Sequence, residues 1–114
     1  MEVRNRERDA LPFTTLDGST IRELVHTRRQ SVAEASLAAG QGTRRHCHPR
    51  SEEIYLLLDG GGLMELEGES GAVGAGDAIL IPAGAWHRLT AGAHGARFLC
   101  CCVPPYSDVD TVFE

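Results

Sequence analysis

Short runs of apolar or alternating residues, each closed off by glycine, make up most of this chain. Residues 21–28, 32–38, 43–48, 53–58, 63–66, 78–81, 87–90 and 97–103 read as strands. Runs of this length with turn signals between them suit a pleated, half-buried surface. Eleven of the 13 glycines gather at residues 40–42, 60–62, 68–76 and 92–95, where they predict turns. No window carries a helical apolar period, so helices should be few and the fold all-β, a sandwich or a barrel. Residues 1–10 are a charged lead-in, read as a mobile N-terminal arm, and Leu11 and Pro12 open the ordered part. Pro104 and Pro105 end the last strand, since proline has no N–H to offer a ladder.

Composition narrows the class of protein. A length of 114 residues predicts one domain, 1–114, with a single modest core. Eleven basic against sixteen acidic residues leave a net charge of −5 with histidine neutral. Nucleic acid and anionic membranes select basic surfaces and are therefore not expected partners. No apolar run nears the roughly 20 residues that span a bilayer. The first residues hold no hydrophobic signal core, so a cytoplasmic location is expected. Cys100, Cys101 and Cys102 are consecutive and alternate between the faces of a strand, and no CxxC pair exists. With Cys47 they read as reduced, small apolar strand residues.

The stretch Gly40-Gln41-Gly42-Thr43-Arg44-Arg45-His46-Cys47-His48-Pro49-Arg50-Ser51-Glu52-Glu53 carries the chemistry. Residues two apart in a strand share a face, so His46 and His48 present their imidazoles together. Pro49 breaks the ladder, and the chain re-enters a strand at Glu53, whose carboxylate is placed to meet them. Farther on, Pro82 and Gly84 form a turn that delivers a third histidine, His87, to the start of a strand. Three imidazoles and one carboxylate suit iron, manganese, nickel, cobalt or zinc, and suit calcium or magnesium poorly. Taken singly, each of these residues also fits an ordinary surface or core position; their joint order is what points to a metal.

Those residues resemble the two motifs of the cupin superfamily, in its small single-domain bacterial form. Gly40, His46, His48, Glu53 and Gly60 match the whole of the first motif, residues 40–60. Gly76, Pro82, Gly84 and His87 match the second, residues 76–91, whose closing asparagine is here Ala91. That position is not a metal ligand in the family, so the departure leaves the metal expectation intact. The resemblance implies a conical jelly-roll β-barrel (a double-stranded β-helix) with a divalent transition metal held by His46, His48, Glu53 and His87. It also implies a homodimer.

Four protein ligands leave open positions on a six-coordinate ion, enough for metal-dependent enzyme chemistry on a small oxygen-rich, anionic metabolite. Dioxygenase, decarboxylase, isomerase and cyclase activities all occur among small cupins, and an oxidoreductase is one candidate. The fold and ligands do not choose among them. The alternative is a non-catalytic module that binds or senses a small ligand. Three further residues are candidates for catalysis. Arg44 lies two before His46 and, by parity, would face the same way and clamp an anion. Tyr55 shares the face of Glu53, as a phenol at the site or as core packing. His26 faces either the cavity, as an acid or base, or solvent.

Overall fold

A computed structural model describes residues 1–114, and the chain is all-β with no helix. Nine strands follow in order: β1 (Phe13–Thr14), β2 (Thr20–His26), β3 (Ser31–Leu37), β4 (His46–Cys47), β5 (Glu52–Leu66), β6 (Glu69–Gly74), β7 (Ala78–Ile81), β8 (His87–Val103) and β9 (Val112–Phe113). Every pairing is antiparallel. No helix is long and apolar enough to cross a membrane.

Two long strands close the sheet into a barrel. β5 and β8 pair along almost their whole lengths, from Glu52↔Val103 to Leu66↔His87. The C-terminal part of β8 also pairs with β3, which continues to β2 and β1. Its N-terminal end pairs with β4, which continues to β9. β5 likewise takes β7 along its first part and β6 along its last. Both strands therefore serve two faces, and the sheet must curl where they pass from one to the other.

Glycine permits that passage. The clusters at 60–62 and 92–95 are not turns between strands, as the sequence pattern predicts; they lie inside β5 and β8. A Cβ on Gly60 would collide with the carbonyl oxygen of Gly95, and one on Gly62 with that of Thr90. The register shifts between Gly60 and Gly62, where residues 92–95 of β8 bulge out. Predicted strands 53–58 and 63–66 are thus one element, as are 87–90 and 97–103. The predicted strand 43–48 shrinks to two residues, because the N–H groups of Thr43 and Arg44 bond the carbonyls of Leu89 and Asp17. β6 runs through a glycine-rich stretch with little apolar alternation, and β9 lies beyond the prolines that end β8.

Period-two alternation then divides the side chains. Leu37, Tyr55, Leu57, Met64, Ile81, Leu89 and Phe98 fill the interior, while Ile54, Leu58, Leu80 and Val103 face outward. The N-terminal arm is strapped to the outer face. Arg22 Nη1 donates to the carbonyls of Arg6 and Ala10, each at 2.9 Å. Arg6 Nε donates to Glu34 Oε2 at 2.7 Å, and Arg97 Nη1 reaches the same oxygen at 3.3 Å.

Burial pushes the Glu34 carboxyl up, but the Arg6 guanidinium, joined by Arg97, outweighs it and holds the group below the ordinary 4.5. A carboxyl depressed in the folded state contributes stability that is present above its unfolded value. That stability is lost as the pH falls through the folded value. Glu34→Gln is therefore expected to lower the urea midpoint at pH 7 and to flatten its fall below pH 4.5. Urea titrations of both proteins from pH 7 to pH 3 read this; parallel curves would mean that the ion pair contributes nothing.

Candidate metal centre

β4 presents His46, and the turn after it presents His48 to the same side; Cys47 between them points the other way. His87 opens β8 directly opposite His46 in register. Glu53 enters from β5, between Ile81 of β7 and Cys102 of β8. All four side chains are buried. The three histidines each offer a ring nitrogen within 4.8 Å of the others, which is metal-binding distance. Glu53 Oε1 stands 3.4 Å from both His48 Nε2 and His87 Nε2.

Second partners set the tautomers. His46 Nδ1 lies 2.6 Å from the Arg44 carbonyl and His87 Nδ1 lies 2.9 Å from the Ala85 carbonyl. A carbonyl only accepts, so Nδ1 donates in both rings and Nε2 keeps a bare lone pair when the ring is neutral. His48 Nδ1 faces Thr111 Oγ1 at 3.1 Å and the Asp110 carbonyl at 3.3 Å. Cys102 Sγ donates to Glu53 Oε2 at 3.2 Å, which leaves Oε1 for the histidines. His87 Nε2 and Glu53 Oε1 are buried with no hydrogen-bond partner. Two orphaned acceptors facing each other are costly unless something positive lies between them, and a divalent cation meets that need.

Charge in this cluster is strongly displaced. Burial, reinforced by the neighbouring His87, drives His46 down to about 4, so its ring is neutral at pH 7. Burial would raise Glu53, but the His48 and His87 rings, when Nε2 carries the proton that a bound cation would displace, outweigh burial and bring it to about 2. Burial would lower His48, and the Glu53 carboxylate outweighs it and raises that ring. The carboxylate is thus ionised and ready to neutralise a cation.

His46, His48 and Glu53 line a cavity that opens to solvent, with His87 buried behind them. Its walls come from β1, β2, β3, β5 and β8. Tyr55 is buried in the wall, its ring centroid 4.8 Å from Phe98 and 5.8 Å from His87. Arg44 does not line the cavity. It is exposed, with its guanidinium 4.1 Å above the Phe113 ring. Parity counted back from His46 fails there because residues 43–45 are not in a strand. His26 is also outside: it ends β2 exposed, its Nδ1 3.6 Å from Glu23 Oε1. Beyond the bulge between Glu23 and Val25 it pairs with Ser31, which lines the cavity, but as the last residue of β2 it stands in solvent.

Two contributions have no signal in the motifs. Asp17, in the turn between β1 and β2, accepts three hydrogen bonds on Oδ1: Thr15 Oγ1 at 2.6 Å, Ser19 N at 2.8 Å and Ser19 Oγ at 2.6 Å. Its Oδ2 lies 3.8 Å from His46 Nε2. In sequence, Asp-Gly-Ser reads only as a turn. The C-terminal residues are the second contribution. β9 pairs with β4, and Asp110 accepts from the backbone N–H groups of Arg50 and Ser51, each at 3.0 Å, in the loop between His48 and Glu53. Thr111→Val removes the hydroxyl beside His48 Nδ1 at nearly constant volume. It is expected to weaken zinc binding about tenfold without loss of fold, as calorimetric titration would read. Unchanged affinity would mean that the Asp110 carbonyl alone orients the ring.

Comparisons with known proteins bear on the family and the fold. The family model described as Cupin domain matches residues 33–102. An uncharacterized protein of Methanocaldococcus jannaschii is 43% identical over 118 residues, covering 97% of this chain and 94% of that protein. The dimethylsulfoniopropionate lyase DddW of Ruegeria pomeroyi is 38% identical over 64 residues, 56% of this chain and 41% of the lyase. Among solved structures, the nucleoside dehydratase Pac13 of Streptomyces superposes with a TM-score of 0.85 at 17% identity, covering 100% of this chain and 91% of Pac13. Oxalate decarboxylase of Bacillus subtilis gives 0.81 at 22% identity, covering 98% of this chain and 32% of the decarboxylase. At those identities the structural likeness concerns the fold alone.

Proposed function

From the premise that this chain belongs to the cupin family, we propose that it is a small metal-dependent enzyme acting on an oxygen-bearing small molecule. His46, His48, His87 and Glu53 would hold the ion. The observation that carries this reading is the facing pair of buried, partnerless acceptors, His87 Nε2 and Glu53 Oε1, of which Glu53 lines an open cavity. A divalent ion held there would act as a Lewis acid on a substrate oxygen. The protein's own part is positioning. Backbone carbonyls keep the lone pairs of His46 and His87 directed inward, Cys102 orients Glu53, and Tyr55 with Phe98 makes a dry wall beside them. A lyase and a dehydratase among the similar proteins favour elimination reactions as the first to try.

The test is elemental analysis of purified protein, followed by assays after loading with iron, manganese, nickel, cobalt or zinc. The substrate panel covers hydroxy and keto acids, nucleosides, uronates and onium carboxylates. Stoichiometric metal and turnover of one class are expected. Tight metal with no turnover across the panel would make the chain a binding or sensing module, and no metal would end the reading. The exposed apolar face of Ile54, Leu58, Leu80 and Val103 favours a homodimer. Light scattering is expected to give twice the chain mass.

A further inference from the structure

The cavity is acidic, and this bears on what it accepts. All eleven basic residues of the chain are arginines, and none of them lines it. Asp17, Glu23 and Glu53 do. With neutral imidazoles and a divalent ion at the closed end, these carboxylates still leave one negative charge in excess. The ion and Glu53 together carry a single positive charge, which the two carboxylates of Asp17 and Glu23 exceed, so the excess lies with them. Asp17 is the better placed of the two. Three donors hold its Oδ1, its side chain is 18% exposed, and Oδ2 accepts no hydrogen bond. Glu23 is half-exposed, with His26 Nδ1 3.6 Å from its Oε1. Aromatic faces complete the lining at Phe13, Phe98 and Tyr106. Carboxylates and ring faces without a competing guanidinium or ammonium attract cations and repel anions.

We infer that the cavity takes a small organic cation of the ammonium class, with the Asp17 carboxylate meeting its charge. This deepens the reading above, on which the cavity is the substrate site, and it replaces the expectation of an anionic metabolite. That expectation rested on the single positive charge that one carboxylate leaves on a divalent ion, and on Arg44 as a clamp. The guanidinium of Arg44 is spent on Phe113 outside the cavity, and Asp17 and Glu23 in the lining outweigh the single positive charge.

Three ligands of one shape and different charge provide the test: choline, its neutral isostere 3,3-dimethylbutan-1-ol, and the anion 3,3-dimethylbutanoate. Each is titrated by NMR into the full chain, both zinc-loaded and metal-stripped. Choline is expected to bind about tenfold tighter than the alcohol, with the anion weakest, and the preference should shrink in high salt. Asp17→Asn keeps the Oδ1 acceptor, and it should remove most of the preference while alcohol binding and zinc content stay unchanged. Glu23→Gln should reduce the preference about threefold and serves as the second probe should Asp17→Asn not fold. Equal or tighter binding of the alcohol or the anion would overturn the inference. Loss of zinc from Asp17→Asn would overturn the role given to Asp17 by making it a metal ligand. Wild-type protein that holds no metal yet prefers choline would refute the metal centre and leave this inference standing.

Discussion

His48→Ala is expected to purify without stoichiometric metal while keeping a folded β-barrel. His48 offers one of three histidine nitrogens within 4.8 Å of one another, and no other imidazole stands near enough to replace it. The fold should survive because His48 lies beyond the end of β4. Its structural duty is carried by its backbone carbonyl, which accepts from Gly84 N–H at 2.8 Å whatever the side chain. Thr111, left facing the gap, still donates to the Ser107 carbonyl at 2.8 Å. Zinc affinity should fall on the order of a hundredfold or more, beyond the effect of losing an outer partner. Melting with and without zinc reads it independently: metal binding stabilises the folded state by mass action, so wild-type protein should melt higher with zinc and the variant should not. A variant that retains stoichiometric metal would remove His48 from the ligand set.

Gly62→Ala is expected to damage the fold itself, by about 3 kcal/mol or more, which is a large part of the stability of a small domain. Gly62 sits opposite Ala91 where β5 and β8 turn from one face of the barrel to the other. A Cβ there meets the Thr90 carbonyl oxygen head-on and comes within 2.9 Å of the Ala91 Cα. Both obstacles are backbone, so no rotamer change relieves them. Opening that pairing would also disturb the elements that present Glu53 and His87. Gly71→Ala is the control: nothing lies within 4 Å of its added Cβ and its φ is not positive. It should be neutral or slightly stabilising through reduced freedom of the unfolded chain. The two urea midpoints compare them directly, and similar values would mean that β5 and β8 have slack at the crossing.

Much of the site is readable in the chain because strand parity is a local property. His46 and His48 share a face through two-residue spacing, and the Pro82–Gly84 turn brings His87 to the head of β8, opposite His46. Parity is only as good as the strand it is counted along. It fails at Arg44, where the backbone has left the ladder to bond with Asp17. Glycine is ambiguous for a related reason. A turn and a close approach of two backbones both require a missing Cβ, so the clusters at 60–62 and 92–95 look like ends of strands and are bends within them.

From the order of residues alone come the all-β class, the alternation that fills the interior, and a histidine-carboxylate set suited to a transition metal, because each depends on spacing along a few neighbouring residues. The barrel's closure, the acidity of its cavity, the bare oxygen of Asp17 and the hold of the C-terminal strand on His46 and His48 are settled only by tertiary structure. Those features join residues separated by tens of positions, and no local pattern records which distant side chain arrives at the same point in space.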